Sequence, residues 1–327
     1  MKHLRLSTKI VITLSLLGVI FFGYYFISGT FYGGNTYQKV FNPITRTTVL
    51  NQDLSPSIKL LFVGDMMFDR HIRKMALRHG EDFLFSCIDP LLMKHNIVIG
   101  NLEGPITTKP STSMGTVVGS KENFYFTFPT STASLLFNHN IKLVNIGNNH
   151  IDNQKAEGIL QTKKFLRDSN VAFFGGLASD SPVYRTNESG VLISFINYNQ
   201  FGGEKEDVVA RTIFEEKSQG RIVIVYAHWG EEYQDVVAPV RRTAKHFAER
   251  GADIIIGSHP HIVQSHEVIG TTIVYYSLGN FIFDQYFQPE VTEGLALSVE
   301  VSSKGVMSVH EHPVTMNIDG RTCPREK

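Results

Sequence analysis

Two histidines one residue apart, His259 and His261 around Pro260, form the most specific chemical signal in this chain. In an extended segment that spacing puts both rings on one side, the arrangement needed to hold one metal or contact adjacent centres. They belong to the last of five clusters of one form, in which a short β-branched run ends in a small polar group. Leu60 to Val63 precedes Gly-Asp65, and Ile97 to Ile99 precedes Gly-Asn101-Leu-Glu103. Leu143 to Ile146 precedes Gly-Asn-Asn149-His150, Ile222 to Tyr226 precedes Ala-His228-Trp229, and Ile254 to Ile256 precedes Gly-Ser-His259. Side chains at strand ends escape the core where loops converge, which is how an α/β sheet builds a polar site at its carboxyl edge.

Each cluster admits a chemical and a structural role. Asp65 is a metal ligand or a helix cap. Arg70 suits either a phosphate or carboxylate, gripped bidentately, or an ion pair with an internal acid such as Asp65. Alternation along a strand puts Asn101 and Glu103 on one face, as two ligands or as turn and cap residues. Asn149 brings a neutral carbonyl and His150 an imidazole able to shuttle protons near neutral pH. Asp152 and Asn153 fit turn or orienting roles, and Asp284 supports the site or only the fold. Imidazole, carboxylate and amide groups together suit Mn, Fe or Zn.

These runs must be strands, and helical patterns alternate with them: Phe83 to Lys94, Ser131 to Asn140, Ala156 to Ser169 and Val240 to Arg250. Alternation of this kind predicts a parallel or mixed sheet covered by helices. Later strands are expected at Thr272 to Tyr276, Gly294 to Val301 and Val306 to His312. The folded domain is placed at residues 58–316, followed by a polar tail at 317–327. Ser111 to Ser120, rich in Ser, Thr and Gly, reads as a loop. Before the domain, Lys2, Arg5 and Lys9 precede an uncharged apolar stretch from Ile10 to Ile27. Residues 1–28 therefore read as a basic end and one transmembrane helix, uncleaved because no Ala-x-Ala site follows, and 29–57 as a tether. The positive flank predicts a single-pass cell-membrane protein with its domain extracytoplasmic.

The 327 residues hold 31 Lys plus Arg against 31 Asp plus Glu, so no basic surplus exists to drive nucleic-acid binding. The two cysteines, Cys87 and Cys323, lie far apart and are expected to be free thiols.

Taken in order, the motifs resemble the bacterial capsule synthesis protein family of the CapA type, named for poly-gamma-glutamate capsule. The resemblance rests on Gly64-Asp65-Met66-Met67 with Arg70, Asn101-Leu-Glu-Gly-Pro105, Asn148-Asn-His150 with Gly158, and Phe174-Gly-Gly176. It continues through His228-Trp-Gly with Glu232-Tyr233, Gly-Ser-His-Pro-His261 with Gln264, and Tyr276-Ser-Leu-Gly-Asn-Phe. That family is similar to the calcineurin-like metallophosphoesterases, which implies a layered α/β sandwich with a metal site at the sheet edge. Carried over, the resemblance implies that Asp65, Asn101 or Glu103, Asn149, His228, His259 and His261 surround one or two divalent ions. His150 becomes a proton donor or phosphate contact, and Arg70 neutralises developing charge. The chain departs from the wider pattern where Met67 stands in place of an imidazole, where Asn101 and Glu103 replace a bridging Asp, and where Asn153 follows His150 in place of Asp. Two functions are implied: hydrolysis of a phosphoester, or non-catalytic binding and scaffolding. The partners are an anionic surface polymer or its precursor and membrane synthesis or export proteins.

Overall fold

The computed structural model describes residues 56–178 and 180–325, so the expected membrane segment and the tether up to residue 55 lie outside the described residues. No described helix is long and apolar enough to cross a membrane. In chain order the elements are β1 (Ser57–Met66), α1 (Arg70–His79), α2 (Asp89–Leu92), β2 (Ile97–Leu102), α3 (Thr132–Asn138), β3 (Ile141–Asn145), α4 (Lys155–Asp168), β4 (Ala172–Phe174), β5 (Val183–Glu188) and β6 (Val191–Asn199). There follow α5 (Glu206–Ser218), β7 (Ile222–His228), α6 (Ala238–Glu249), β8 (Ile254–Ser258), β9 (His266–Ile269), β10 (Thr272–Tyr275), β11 (Asn280–Ile282), α7 (Pro289–Thr292), β12 (Glu293–Ser302), β13 (Gly305–Met316) and β14 (Thr322–Pro324).

Two mixed sheets result. The first runs β14-β13-β12-β1-β2-β3-β4, with β11 paired to the end of β1, and the second runs β5-β6-β7-β8-β10-β9. Strands β1 to β4 are mutually parallel, as are β6, β7, β8 and β10. The near-continuous apolar runs seen in the sequence follow from burial on both faces. In β1, Leu60 and Phe62 enter a core shared by the two sheets, while Leu61 and Val63 enter a second core beneath α1, α3 and α4. In β7, Ile222, Ile224 and Tyr226 join the shared core, and Val223, Val225 and Ala227 pack under α5 and α6. The order is therefore helix, sheet, sheet, helix. Tyr226 pins the sheets together, its buried hydroxyl donating to the Val63 carbonyl at 2.6 Å. Residues Asp53–Lys327 form one compact unit, and all three described cores lie inside it.

Several expectations change. Cys87 and Cys323 are not free thiols: they form a disulfide across 236 residues, because β14 returns beside the 3-10 turn Glu81–Phe85. The expected tail at 317–327 contributes that strand, which pairs with β13 through Thr315 and Cys323. The stretch Phe83 to Lys94 is not one helix but that turn followed by α2, whose first turn holds Pro90, a residue unable to continue a helix begun before it. Strands β5 and β6 and helix α5 went unanticipated, although β6 ends in Asn197-Tyr198-Asn199.

Candidate metal centre

The parallel strands of both sheets end at one edge, and their terminal residues meet there. Gly64 lets this happen at β1: a Cβ there would sit 1.9 Å from the Gly279 carbonyl oxygen, which accepts the Asp65 N–H at 3.1 Å. Gly257 plays the same part at β8, where a Cβ would lie 1.8 Å from the Tyr276 carbonyl oxygen. Close backbone approach thus seats Asp65 from the first sheet against His259 from the second. The Asp65 carboxylate takes the Asn101 amide at 2.8 Å and the His259 N–H at 3.0 Å, and lies 3.4 Å from His261 Nδ1.

Glu103 follows β2 and faces His261 Nε2 at 3.6 Å, and His150 Nε2 stands 4.0 Å from the same oxygen, Oε1. His228 ends β7 with Nε2 2.9 Å from Asn149 Oδ1 and Nδ1 2.9 Å from Ser258 Oγ. Three overlapping sets each bring ligand atoms within 4.8 Å of one another: Glu103, His228 and His259; Asp65, Glu103 and His261; and Glu232, His259 and His261. Glu103, His259 and His261 each belong to two sets, so they sit at the middle. Glu232 escaped notice as a ligand because it lies in the loop after β7, off the strand-end pattern.

The structure corrects two readings here and chooses between the alternatives of a third. Asn101 reaches the centre but presents its NH2 rather than its oxygen. Gly147 N–H donates to Asn145 Oδ1 at 3.2 Å, so Asn145 Nδ2 donates to Asn101 Oδ1 at 3.0 Å. Asn148 is fixed the same way, accepting the His150 N–H and donating to the Leu102 carbonyl, and its amide also reaches Asn101 Oδ1 at 3.1 Å. Backbone groups thereby set both neighbours, and they turn Asn101 Nδ2 toward Asp65, Glu103 at 3.2 Å and His228 at 3.3 Å. Asn101 is a positioning donor, not an oxygen ligand. His259 and His261 lie in no extended segment: their φ values are 96° and 59°, a left-handed backbone that side chains enter at a cost of about 1–3 kcal/mol each. Their rings still converge, with centroids 6.0 Å apart. Arg70 pairs with Asp284, not Asp65, because Asp69 caps α1 and starts it with Arg70 held between Phe126 and Phe283 at 5.1 and 5.5 Å.

Burial sets the charges. It holds the His259 imidazole down to about 3, helped by His261 and opposed by Asp65. His228 is held well below its usual range by burial and by the three neighbouring imidazoles. His150 is held down to about 4 by burial, against its Asn153 hydrogen bond. Burial also opposes charge on His261, yet Glu103 and Asp65 overcome it and raise that ring to about 9. Glu103 is pushed well up by burial and then by Asp65. Without a cation, the centre is two acids and one imidazolium among three neutral imidazoles, and neutral imidazoles are what a metal requires.

The helix-sheet-sheet-helix sandwich resembles the fold of a phosphatase. A crystal structure of a phosphatase from Mycoplasma pneumoniae superposes with a TM-score of 0.50 at 14% identity, covering 80% of this chain and 95% of that one. The profile described as "Bacterial capsule synthesis protein PGA_cap" matches residues 59–285, and the chain belongs to that family. It is 28% identical over 250 residues to "Capsule biosynthesis protein CapA" of Bacillus anthracis, covering 70% of this chain and 60% of the relative. It is 28% identical over 243 residues to "PGA biosynthesis protein CapA" of Bacillus subtilis (strain 168), covering 68% of this chain and 63% of that one. The chain thus spans less than two thirds of these curated relatives.

Proposed function

We propose that this protein is a metal-dependent phosphoester hydrolase of cell-surface polymer biosynthesis, of the poly-gamma-glutamate capsule type. In this proposal residues 1–28 hold it at the membrane with its domain outside the cell. The observation that carries the reading is a pair of orphans. Glu103 Oε1 and His259 Nδ1 are buried and have no hydrogen-bond partner among the described residues, although each costs about 1–3 kcal/mol to leave unsatisfied. Both belong to the same ligand set, so a cation between them fits where water-free burial does not. Asp65, Glu103, His228, His259 and His261 would hold a divalent ion such as Mn, Fe or Zn, with Asn149 and Glu232 at its margin. Such an ion polarises phosphoryl oxygens and acidifies water near neutral pH.

The chain's own groups divide the remaining tasks. Asn153 Oδ1 accepts the Phe126 N–H at 2.8 Å, so it accepts from His150 Nδ1 at 3.1 Å as well, and the neutral ring keeps its lone pair on Nε2. A bound phosphate's negative charge favours protonating that nitrogen, which then donates to a leaving oxygen. Arg70 supplies fixed positive charge one layer out. The disulfide supports an oxidising, extracytoplasmic compartment. Residues Asp53–Lys327, purified and supplied with Mn, should hydrolyse a chromogenic phosphodiester, and His259→Ala should lose at least a hundredfold in rate. Unchanged activity in that variant would sink the assignment.

One observation favours a binding or scaffolding role. Met67, which stands where an imidazole would add a ligand, is buried with its sulfur accepting the Asp69 N–H at 3.0 Å, so the fold uses that position for itself. If a His228→Ala gene restores surface polymer fully to a deletion strain, binding survives and hydrolysis does not.

A further inference from the structure

A cavity of about 540 Å³ opens beside the metal centre and is not used by it. One wall is the loop carrying Thr116, Val118 and Phe124, and the other is the segment from Asp284 to Phe287. It joins the centre through Tyr233, whose ring lies 6.0 Å from that of His261 and 5.1 Å from that of Phe287. The wall is braced: Gln285 donates to the Tyr233 hydroxyl at 2.8 Å and accepts from Asn280, whose Oδ1 meets His261 Nδ1 at 2.9 Å.

Its chemistry is divided. At the floor stands Arg70, with Nη1 on Asn123, Nη2 on Asp284, and Nε buried without a partner among the described residues. Lys74 also lines the cavity and has no ion-pair partner among the described residues. Asp284 is the cavity's one carboxylate among the lining residues described, so Arg70 and the exposed Lys74 give its lining a positive excess. The rim is apolar and wet: Val118 is 89% exposed, Phe287 63% and Phe124 44%. Neighbouring Val117 extends the patch. Large apolar side chains gathered at the mouth of a cationic pocket mark a binding surface more than scattered exposure does.

We propose that this cavity receives a phosphate-headed amphiphile, its head over Arg70 and Lys74 toward the metal centre and its hydrocarbon along Val118, Phe124 and Phe287. The inference rests on the phosphoester reading above and names the substrate class: the phosphoester acted on carries a hydrocarbon group, not only polar polymer. A free polyanion would gain nothing from the apolar rim, and a neutral lipid would gain nothing from the floor.

The test measures binding without turnover. Octyl phosphate, ethyl phosphate and octanol are titrated, below any micelle concentration and in chelator, into the Asp53–Lys327 unit and followed by NMR. Octyl phosphate should bind at least tenfold tighter than either of the others. Val118→Ser with Phe287→Ser, both at exposed positions, should erase most of that advantage and leave ethyl phosphate within twofold. Lys74→Gln should weaken both phosphates and leave octanol unchanged. Equal affinity for octyl and ethyl phosphate, octanol binding as tightly as octyl phosphate, or an advantage that survives the double substitution would each overturn the proposal. Because no bond is cut in this assay, its failure is separable from failure to hydrolyse a phosphodiester in Mn.

Discussion

Replacing Asn101 by aspartate tests how the centre balances charge. The Asn101 amide donates to Asp65 Oδ1 at 2.8 Å, so an aspartate there places two carboxylates in contact. Two unit charges about 3 Å apart at an effective dielectric constant of about 20 repel by roughly 5–6 kcal/mol. The pair can avoid that by taking up a proton, which costs about 1.4 kcal/mol for each pH unit above an ordinary carboxyl value near 3.9. The cheaper route sets the penalty: about 4 kcal/mol at pH 7 and about 1.5 kcal/mol at pH 5. Lost donor bonds to Glu103 and His228 add equally at both values, so the difference of about 2.5 kcal/mol isolates the charge effect. Urea unfolding of the Asp53–Lys327 unit in chelator at the two pH values reads it directly. Excess Mn should then restore the variant more than the parent, since the added carboxylate faces the cation while its other oxygen keeps Asn145 and Asn148. A deficit that does not shrink between pH 7 and pH 5 would refute the close contact between position 101 and Asp65 on which the charge argument stands.

The metal-free domain should lose stability as pH rises from 6.5 through about 9. His261 gains its folded-state charge there, so its contribution is full below the unfolded value and vanishes above the folded one, by on the order of 3 kcal/mol. His150, His228 and His259 act oppositely, losing stability as pH falls below 6.5, which predicts a maximum near that value in chelator scans. Bound metal should move the maximum upward, and an unmoved maximum would contradict the ligand set. Cys87→Ser should cost up to about 5 kcal/mol on the chain-entropy estimate for a loop of this length, and the reduced parent should unfold at the same denaturant concentration as the variant. Gly64→Ala should cost about 3 kcal/mol from the clash with the Gly279 carbonyl. It should also weaken metal uptake measured by elemental analysis, because Asp65 is displaced with the strand.

The part of the site legible in the sequence is the part made by strand ends. Asp65, Glu103, His228, His259 and His261 each follow a β-branched run, and parallel pairing carries all five to one edge. What was illegible depends on contacts between distant segments. Nothing local distinguishes an asparagine that presents oxygen from one that presents nitrogen; Asn101 is decided by Gly147 and Leu102 acting through Asn145 and Asn148. Arg70 was open to an external anion or to an internal acid such as Asp65, and the Phe126 and Phe283 rings fix its course toward Asp284. The bridge between Cys87 and Cys323 spans 236 residues and follows from sheet order, which spacing does not encode. The His-Pro-His motif signalled its chemistry for a reason that does not hold, since the backbone is left-handed at both histidines rather than extended.

The hydroxyl of Tyr226 on the Val63 carbonyl joins the two sheets a few residues before each delivers its half of the centre. Asp65 and Glu103 arrive from one sheet, and His228, His259 and His261 from the other. Two of the three ligand sets, Glu103 with His228 and His259 and Asp65 with Glu103 and His261, draw on both sheets, so cation affinity at those sets exists only while the sheets are docked. Docking and chelation are therefore linked equilibria: whatever loosens the seam raises the ion's escape rate, and a tightly held ion acts as a clasp on the seam. Metal retention then doubles as a gauge of sheet docking, and Tyr226→Phe should shorten the ion's residence without touching a single ligand.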